Sequence, residues 1–400
     1  MDRLGLSAAD LRAYHAALAD SGQVRTQVSV LNLQHERLNS IDHQIIDGQV
    51  DVSSSGEVTR SCEVTFSDDT RAITFDSDSP ANGALFADRM LHIEQGVKVP
   101  GIGWVDAPIF TGPIYGQKRG DKSTIITAQG KESMARSPAV AWQPMTVRKG
   151  VAKVDAIRRI MRERAGETRF ALPDLKERLP KSVSLGRMSE PWLVCQKIAR
   201  SMNRQLYYDG RGVLRLRNLP GNVVFTFRDG TGGMILAEQP PDVSFDITTV
   251  RNTVWVKGGK KKAKRRPNET RAEFETRQEK ERGVQFRAVA NRSHPLSPWR
   301  LGRPDSPRFL VHVIENDHIR SEKAARVRAN HDLAELLRQH VDVTFGSLPA
   351  PHLEVLDLAR VDCEGFALTF RLRDFSIPLH VGGAMTVGSM KNVQVRGRHR

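Results

Sequence analysis

Short segments of alternating apolar and polar residues, separated by clusters of turn residues, constrain the fold of this chain more than any other feature. Examples are Cys62–Phe66, Ala72–Phe75 and Ser123–Ala128, and the last of these follows the turn cluster Arg119–Lys122. Alternation with a period of two residues is typical of strands that bury one face. Because such segments fill much of the first 130 residues and return after residue 220, the sequence predicts β-barrels or β-sandwiches.

Helical periodicity interrupts this β pattern at four places. The predicted helices cover 7–20, about 151–166, a segment beginning at Ser189-Glu190-Pro191, and about 321–339. Ser7, Ser189 and Ser321 stand where helix caps are expected, because a serine hydroxyl can accept a hydrogen bond from the first turn. In the last helix, the residues expected to face a core are Val327, Leu333, Leu336 and Leu337.

The third predicted helix leads directly into a β-hairpin pattern. Gln205–Tyr208 and Val213–Arg217 have strand character, and Asp209–Gly212 between them has the composition of a tight turn. We therefore predict a β-rich α+β fold with two β-barrel modules and a small α/β insertion domain. The predicted divisions are an N-terminal helix (1–22), a first β-barrel (23–145), the α/β insertion (146–220), a second β-barrel (221–390) that contains a basic loop (257–283) and the helix 321–339, and a basic tail (391–400).

The formal net charge of +15 makes an acidic partner the first binding hypothesis. The densest basic cluster lies in the predicted loop and consists of Lys260, Lys261, Lys262, Lys264, Arg265 and Arg266. This cluster could contact nucleic acid phosphates, bind an acidic protein, or keep the loop soluble. Because no aromatic residue interleaves with it, a stacking platform for single strands is disfavoured. We favour a solvated loop, with an acidic protein partner as the second interpretation.

The sequence carries none of the common signatures of membrane, secreted or disulfide-bonded proteins. It has no apolar run of membrane-spanning length, and Met1–Gly5 does not begin a signal peptide. Cys62, Cys195 and Cys363 are widely spaced, which predicts buried free thiols in a reducing cytoplasm.

Motifs of common catalytic sites are also absent from the sequence. Nucleotide-binding, zinc-protease and serine-hydrolase patterns do not occur. An aspartate-rich stretch lacks the spacing of a calcium loop, so its members are interpreted as turn residues: Asp68, Asp69, Asp76 and Asp78. His312 and His318, near Glu315 and Asp317, are interpreted as a polar turn before a helix. We predict no catalytic residue, no cofactor and no metal site, and not an enzyme.

Three stretches, taken in order, resemble the hub and minor tail proteins of bacteriophage tails and related contractile injection systems. Phe110–Ile114 followed by Ile125–Lys131 resembles that family's "F.G.I" strand and its partner. The helix and hairpin from Pro191 to Leu214 resemble its insertion, and the helix 321–339 followed by Pro351–Asp357 resembles its closing segment. The resemblance covers most of residues 24–390, although the family's usual "GD" before the closing strand is replaced here by Leu353–Asp357.

The resemblance implies a structural role at the tip of a tail, in a virion assembled after synthesis in the host cytoplasm. In that family three subunits, each with two barrels, form a ring that matches a six-fold tail tube on one side and a three-fold tip on the other. The implied partners are further copies of the chain, the distal tail or tail-tube protein, spike or fibre proteins and the tape-measure C-terminus, and the genome passes through the channel. The alternatives are a tail-associated cell-wall hydrolase and, less favoured, a nucleic-acid-binding protein.

Overall fold

The computed structural model describes residues 4–20, 23–41, 45–67, 88–136, 144–245, 250–259, 269–274, 283–338 and 341–395. The helices are α1 (Ala8–Ala19), α2 (Glu132–Arg136), α3 (Lys153–Ala165), α4 (Pro191–Arg200), α5 (Pro298–Leu301) and α6 (Glu322–Arg338). The strands are β1 (Val24–Asn32), β2 (Arg37–Ser40), β3 (Ile45–Ser53), β4 (Arg60–Ser67), β5 (Arg89–Val99), β6 (Gly103–Arg119), β7 (Ser123–Gln129), β8 (Met145–Val147), β9 (Phe170–Ala171), β10 (Val183–Leu185), β11 (Gln205–Tyr208), β12 (Leu214–Arg217), β13 (Phe225–Arg228), β14 (Asp242–Phe245), β15 (Thr253–Gly258), β16 (Gln285–Val289), β17 (Val311–Asn316), β18 (Val341–Ser347), β19 (Leu358–Cys363), β20 (Phe366–Pro378) and β21 (Met385–Val395). None of the helices in these ranges has both the length and the apolar character that crossing a membrane would require.

One 13-stranded sheet contains most of the strands on both sides of the insertion. Its main path runs β14-β18-β21-β20-β3-β4-β7-β6-β5-β1-β2, with β19 paired to β20 and β13 paired to β19. The two outer portions are joined where β3 pairs antiparallel with β20, with Val50 opposite Ile377 and Val52 opposite Phe375. The predicted β-rich α+β class is confirmed. The division into two barrel modules stays a prediction, to which the structure adds that both portions share hydrogen bonds across this seam.

A single hydrophobic core follows the large sheet from its first strands to its last. Alternate residues of β4 and its neighbours point inward, so that Val64, Phe66, Phe110 and Phe370 are fully buried together. The N-terminal helix α1 covers part of this core with Tyr14, Ala17 and Leu18. Its predicted cap is confirmed, because the Ser7 hydroxyl accepts a hydrogen bond from the Asp10 amide at 3.2 Å.

A second core lies within the insertion, between α3, α4 and the hairpin β11–β12. Trp192 stacks on Tyr208 at a centroid distance of 5.7 Å, and Ile157 and Cys195 are buried beside them. Gly166 ends α3, at the position expected from the sequence, and has the left-handed conformation with φ 65°. The predicted cap at Ser189 is wrong: Glu190 is the cap residue, because the Ser189 hydroxyl instead accepts a hydrogen bond from the Gly186 amide.

A third, smaller core lies between α6 and one face of the three-stranded sheet β16-β15-β17. The helix places Ala325 and Ala329 against Val254 and Val256, because small residues let the helix approach the strands closely. Ser321 caps α6 as predicted, accepting from the Ala324 amide at 3.2 Å. Leu333, Leu336 and Leu337 pack on this core as expected, but the predicted inward position of Val327 is wrong, because that side chain is half exposed.

The sequence also predicts a strand over Val355–Leu358, but this segment is mostly a turn. Strand β19 begins at Leu358, and Leu356 has a φ of 65°, which a strand does not accommodate. The Asp357 amide donates to the Glu354 carbonyl, and the Asp357 carboxylate accepts from the Glu354 amide at 2.9 Å. This turn places both acids beneath the insertion, where they take part in the contacts described next.

Candidate functional site

The turn of the β11–β12 hairpin rests directly on β6, and this contact fastens the insertion to the large sheet. The Thr111 hydroxyl donates to the Gly210 carbonyl at 2.7 Å. A side chain at Gly210 would overlap the backbone carbonyl of Pro108, so only glycine permits this approach. We call the contact between Pro108–Gly112 and Asp209–Gly212 the insertion junction. It brings together two of the stretches on which the family resemblance was drawn.

Arg60 crosses the insertion junction and ties three parts of the chain together. From β4, its guanidinium donates to the Ile109 carbonyl at 2.8 Å and the Tyr208 carbonyl at 3.0 Å. It also pairs with Glu354 at 2.5 Å, and the two side chains are only 5% and 7% exposed. Burial alone would lower the pKa of the Arg60 guanidinium, but the Glu354 carboxylate raises it above its ordinary value.

Lys131 forms a second buried ion pair at the insertion junction. Its ammonium lies 2.6 Å from the Glu167 carboxylate and donates to the Gly212 carbonyl at 3.3 Å. Burial lowers the pKa of Lys131, and Glu167 opposes that shift. Burial likewise raises the pKa of the neighbouring Tyr208 phenol. Since both charges of the pair are almost completely buried, removing either one would leave the other buried without its partner.

A third pair joins β12 of the insertion to the turn before β19. Arg217 pairs with the fully buried Asp357 at 3.1 Å and donates to the Val355 carbonyl at 2.6 Å. Arg371 of β20 donates to the Leu356 carbonyl at 3.1 Å from the other side. The turn at 354–357 is therefore held by cations from both the insertion and the sheet.

A cavity of about 370 Å³ lies between α4, α6 and the loop that joins β3 to β4. Its polar lining includes Asp332 and Glu335 from α6, and these acids pair with Arg328 at 2.8 Å and Arg371 at 3.5 Å. Arg328 also donates to the Arg200 carbonyl of α4 at 2.7 Å. Arg328 thus joins α6 to the insertion, and Glu335 joins α6 to β20 of the large sheet.

Two of the three terminal strands of the 13-stranded sheet, β2 and β14, each pair with only one strand among the described residues; the third, β13, pairs only with β19. β2 carries Leu38 with half of its surface exposed, and β14 carries Val243 with 45% exposed. An open strand edge with apolar side chains is a template for pairing with another chain. These edges are the parts of the large sheet best suited to assembly.

The structure places only some of the residues singled out from the sequence. The basic cluster Lys260, Lys261, Lys262, Lys264, Arg265 and Arg266 lies outside the described residues, as do the strand predicted at 72–75 and the aspartates at 68, 69, 76 and 78. The role of the basic cluster in partner contact stays a prediction. In the part of the chain that is described, no group of three or more His, Cys, Asp or Glu side chains could hold a metal ion.

The histidines and cysteines are distributed as follows. His318 lies in the predicted turn, where burial lowers its pKa to about 4, whereas His312 belongs to β17 instead of that turn. Cys62 and Cys195 are buried free thiols, as predicted. Cys363 is a free thiol but only partly buried, and burial raises its pKa to about 11.

Sequence reasoning missed the buried charges of the insertion junction, although β4 carried a signal for one of them. Arg60 occupies the same face of the alternating strand as Cys62, Val64 and Phe66. A charged residue at an inward position of a strand requires a buried partner. The partner, Glu354, is too distant in the sequence for a local pattern to identify it.

His35 gives the insertion junction a pH dependence that can be measured. Burial and the nearby charges of Lys131, Arg169 and His92 lower the pKa of His35 to about 4, although the Glu167 carboxylate opposes this shift. A histidine in the unfolded chain has a pKa of about 6.5, so as the pH falls the unfolded chain takes up a proton at this residue before the native protein does. The stabilisation that neutral His35 gives the native state is therefore complete above the unfolded pKa of about 6.5, and it is lost as the pH falls toward the native pKa of about 4.

We therefore expect the urea midpoint of the native protein to fall more steeply between about pH 7 and pH 4 than that of a His35→Asn variant. Asparagine suits the comparison because it tolerates the positive φ of 68° at this position. Parallel pH profiles for the two proteins would contradict the assignment of this titration to His35.

Comparison with known proteins shows a likeness in structure, whereas the comparisons of sequence found no match. No protein-family model and no curated protein matches the chain. The tail protein from Neisseria meningitidis MC58 shares its fold with a TM-score of 0.58 and 12% identity, covering 91% of this chain and 96% of that one. The 43 kDa tail protein of prophage MuSo2 from Shewanella oneidensis gives a TM-score of 0.54 and 10% identity, covering 93% and 98%. The resemblance drawn from the sequence is thus confirmed as a likeness of fold.

Proposed function

We propose that this chain, which has the fold of two phage tail proteins, is a structural subunit of a bacteriophage tail and resides in the virion. The observation that carries the proposal is the extent of the likeness, which covers 91% and 93% of the chain in the two comparisons. A likeness over more than nine-tenths of the chain involves the insertion as well as the large sheet. More specifically, we propose a hub subunit at the tail tip.

Three copies of the chain form a ring in this proposal. The exposed edges of β2 and β14 support it, because edge strands of neighbouring subunits can pair and bury Leu38 and Val243. Two β modules in each of three subunits would present six similar units to a six-fold tube and three-fold symmetry to a spike or fibre. The partners are then the tail-tube or distal tail protein, the tape-measure C-terminus and the tip proteins, and the genome passes through the channel.

The insertion junction supports a mechanical role for this chain. Its buried arginine and lysine each have a carboxylate partner and donate to backbone carbonyls as well. Removing one member of such a pair is costly, so the contact resists separation of the insertion from the sheet. A subunit that transmits force through a tail requires this kind of attachment.

The assembly can be tested by measuring the mass of the purified full-length protein in solution. We expect a species of three times the chain mass of 44.7 kDa. The double variant Leu38→Lys, Val243→Lys should be a monomer with an unchanged melting temperature, because lysine on an edge strand prevents pairing between chains. Val381→Lys is the matched control, since Val381 is 81% exposed but lies in a loop rather than on an edge strand.

Two outcomes would contradict the proposal. A native protein that stays monomeric at all concentrations and is missing from tail particles is incompatible with a hub ring. Clearing of host peptidoglycan by the purified protein in a zymogram would instead support the cell-wall hydrolase considered from the sequence.

A further inference from the structure

The three-stranded sheet β16-β15-β17 has a second face that α6 does not cover. Val254, Val256 and Ala288 point toward α6 and are buried. On the opposite side, Trp255 lies in register with Arg287 of β16 and with Val313 of β17. Since neighbours in register point to the same side of a sheet, these three side chains form one surface.

A row of aromatic rings and cations extends this surface beyond the strands. The Lys257 ammonium lies 4.6 Å from the Trp255 ring, and the Arg287 guanidinium lies 4.3 Å from the Phe309 ring. Phe309 in turn contacts Trp299 edge to face at a centroid distance of 6.1 Å. The Arg292 guanidinium lies 4.7 Å from the Trp299 ring. We call this surface the arginine–aromatic face; its members are Trp255, Arg287, Arg292, Trp299, Phe309, Val311 and Val313.

The arginine–aromatic face combines uncompensated positive charge with exposed apolar side chains. Arg287, Arg292 and the adjacent Arg300 are exposed, and none of them forms an ion pair within the described parts of the chain. Lys257, by contrast, pairs with Glu315 at 3.1 Å. Val311 and Val313 are 40% and 43% exposed, and Phe309 is 38% exposed. Exposed apolar groups rimmed by charge are typical of protein interaction sites.

We propose that the arginine–aromatic face binds an acidic segment of a partner protein that also carries aliphatic side chains. Charge complementarity favours carboxylates opposite Arg287, Arg292 and Arg300. The two exposed valines favour aliphatic residues in the same partner, because burying apolar surface stabilises the complex.

A polypeptide fits this face better than a nucleic acid. Guanidinium groups already lie over the rings of Phe309 and Trp299, and an ammonium lies over Trp255, so bases would have to displace cations in order to stack. Phosphates, moreover, would leave Val311 and Val313 without apolar partners.

The inference extends the proposed function by naming the chemistry of one neighbouring protein, and its test measures binding rather than assembly. The probe is a fluorescein-labelled peptide of alternating glutamate and valine, added to the full-length protein and followed by fluorescence anisotropy. We expect the triple variant Arg287→Glu, Arg292→Glu, Arg300→Glu to bind the peptide at least about tenfold more weakly. A tenfold loss of affinity corresponds to the loss of a single good charge contact. Val313→Ser should weaken it about fivefold through lost apolar contact.

A matched control reverses the same amount of charge elsewhere. Lys118→Glu, Arg119→Glu, Lys122→Glu changes three exposed cations at the β6–β7 hairpin and should leave peptide affinity within about twofold of the native value. If the glutamate triple variant has a lower melting temperature, the corresponding glutamine triple variant replaces it and should still weaken binding several-fold.

Three results would overturn the inference. The first is failure of the native protein to bind the peptide, and the second is equal loss of affinity in the control triple. The third is tighter binding of a single-stranded oligonucleotide of equal charge that is lost in the arginine variant, which would assign the face to nucleic acid. Solution mass measured on the same samples separates these results from a failure of the ring, because none of the three arginines lies on β2 or β14.

Discussion

Replacing Gly210 with valine is expected to lower the free energy of unfolding by about 3 to 5 kcal/mol. A side chain there overlaps the carbonyl of Pro108, so the turn must withdraw from β6. Withdrawal breaks the hydrogen bond from Thr111 and moves Tyr208 away from Arg60. The free energy of unfolding therefore falls for two reasons: the turn is sterically strained, and buried polar groups are left without hydrogen-bond partners.

Urea unfolding, followed by tryptophan fluorescence and circular dichroism, measures this effect. Gly221→Val is the matched control, because a side chain added at Gly221 meets no atom within 4 Å and the backbone there is not left-handed. The control should cost less than about 1 kcal/mol, as exposed substitutions usually do. Equal stability of the two variants would show that the hairpin turn is not seated on β6.

Replacing Arg60 with methionine should cost a similar amount for an electrostatic reason. The substitution leaves Glu354 buried without its cation, and breaking a buried pair in this way typically costs about 3 to 5 kcal/mol. The double variant Arg60→Met, Glu354→Gln should recover part of the loss, since no isolated charge is then buried.

The pair of Arg25 and Asp106 provides the control for this second prediction. The Arg25 guanidinium and the Asp106 carboxylate lie 2.6 Å apart, about as close as Arg60 and Glu354, but the two side chains are 35% and 27% exposed. Solvent screens such a pair, so Arg25→Met should cost about 1 kcal/mol or less. A loss at Arg60 no larger than the loss at Arg25 would mean that the buried pair contributes no more than a surface one.

Local patterns in the sequence predicted the four longest helices (α1, α3, α4 and α6) and most strands, because those patterns are set by nearby residues. The short helices α2 and α5 were not predicted. Helix α6 was expected at 321–339 and is found at Glu322–Arg338, with its serine cap in place. The hairpin at 205–217 was recognised because a turn rich in Gly and Asp separates two apolar strands. In each case hydrophobic period and capping chemistry act within a few residues of one another.

The insertion junction could not be predicted from local patterns, because its partners are distant in the chain and because it buries charged residues where apolar residues are expected. Arg60 and Glu354 meet although nearly 300 residues separate them. The left-handed Leu356 has no local cue, since leucine rarely adopts a positive φ. Its conformation depends on hydrogen bonds from Arg371 and Arg217 to the surrounding turn, which exist only in the folded chain.

The seam between β3 and β20 has a consequence for biosynthesis. β3 is complete by Ser53, whereas β20 begins only at Phe366, so a ribosome must translate more than three hundred residues before the two strands can meet. Until then one edge of β3 has no partner, and pairings of such long range form slowly. We expect the nascent chain to depend on chaperones during this interval, and the proposed ring to assemble only from chains that have been fully synthesised.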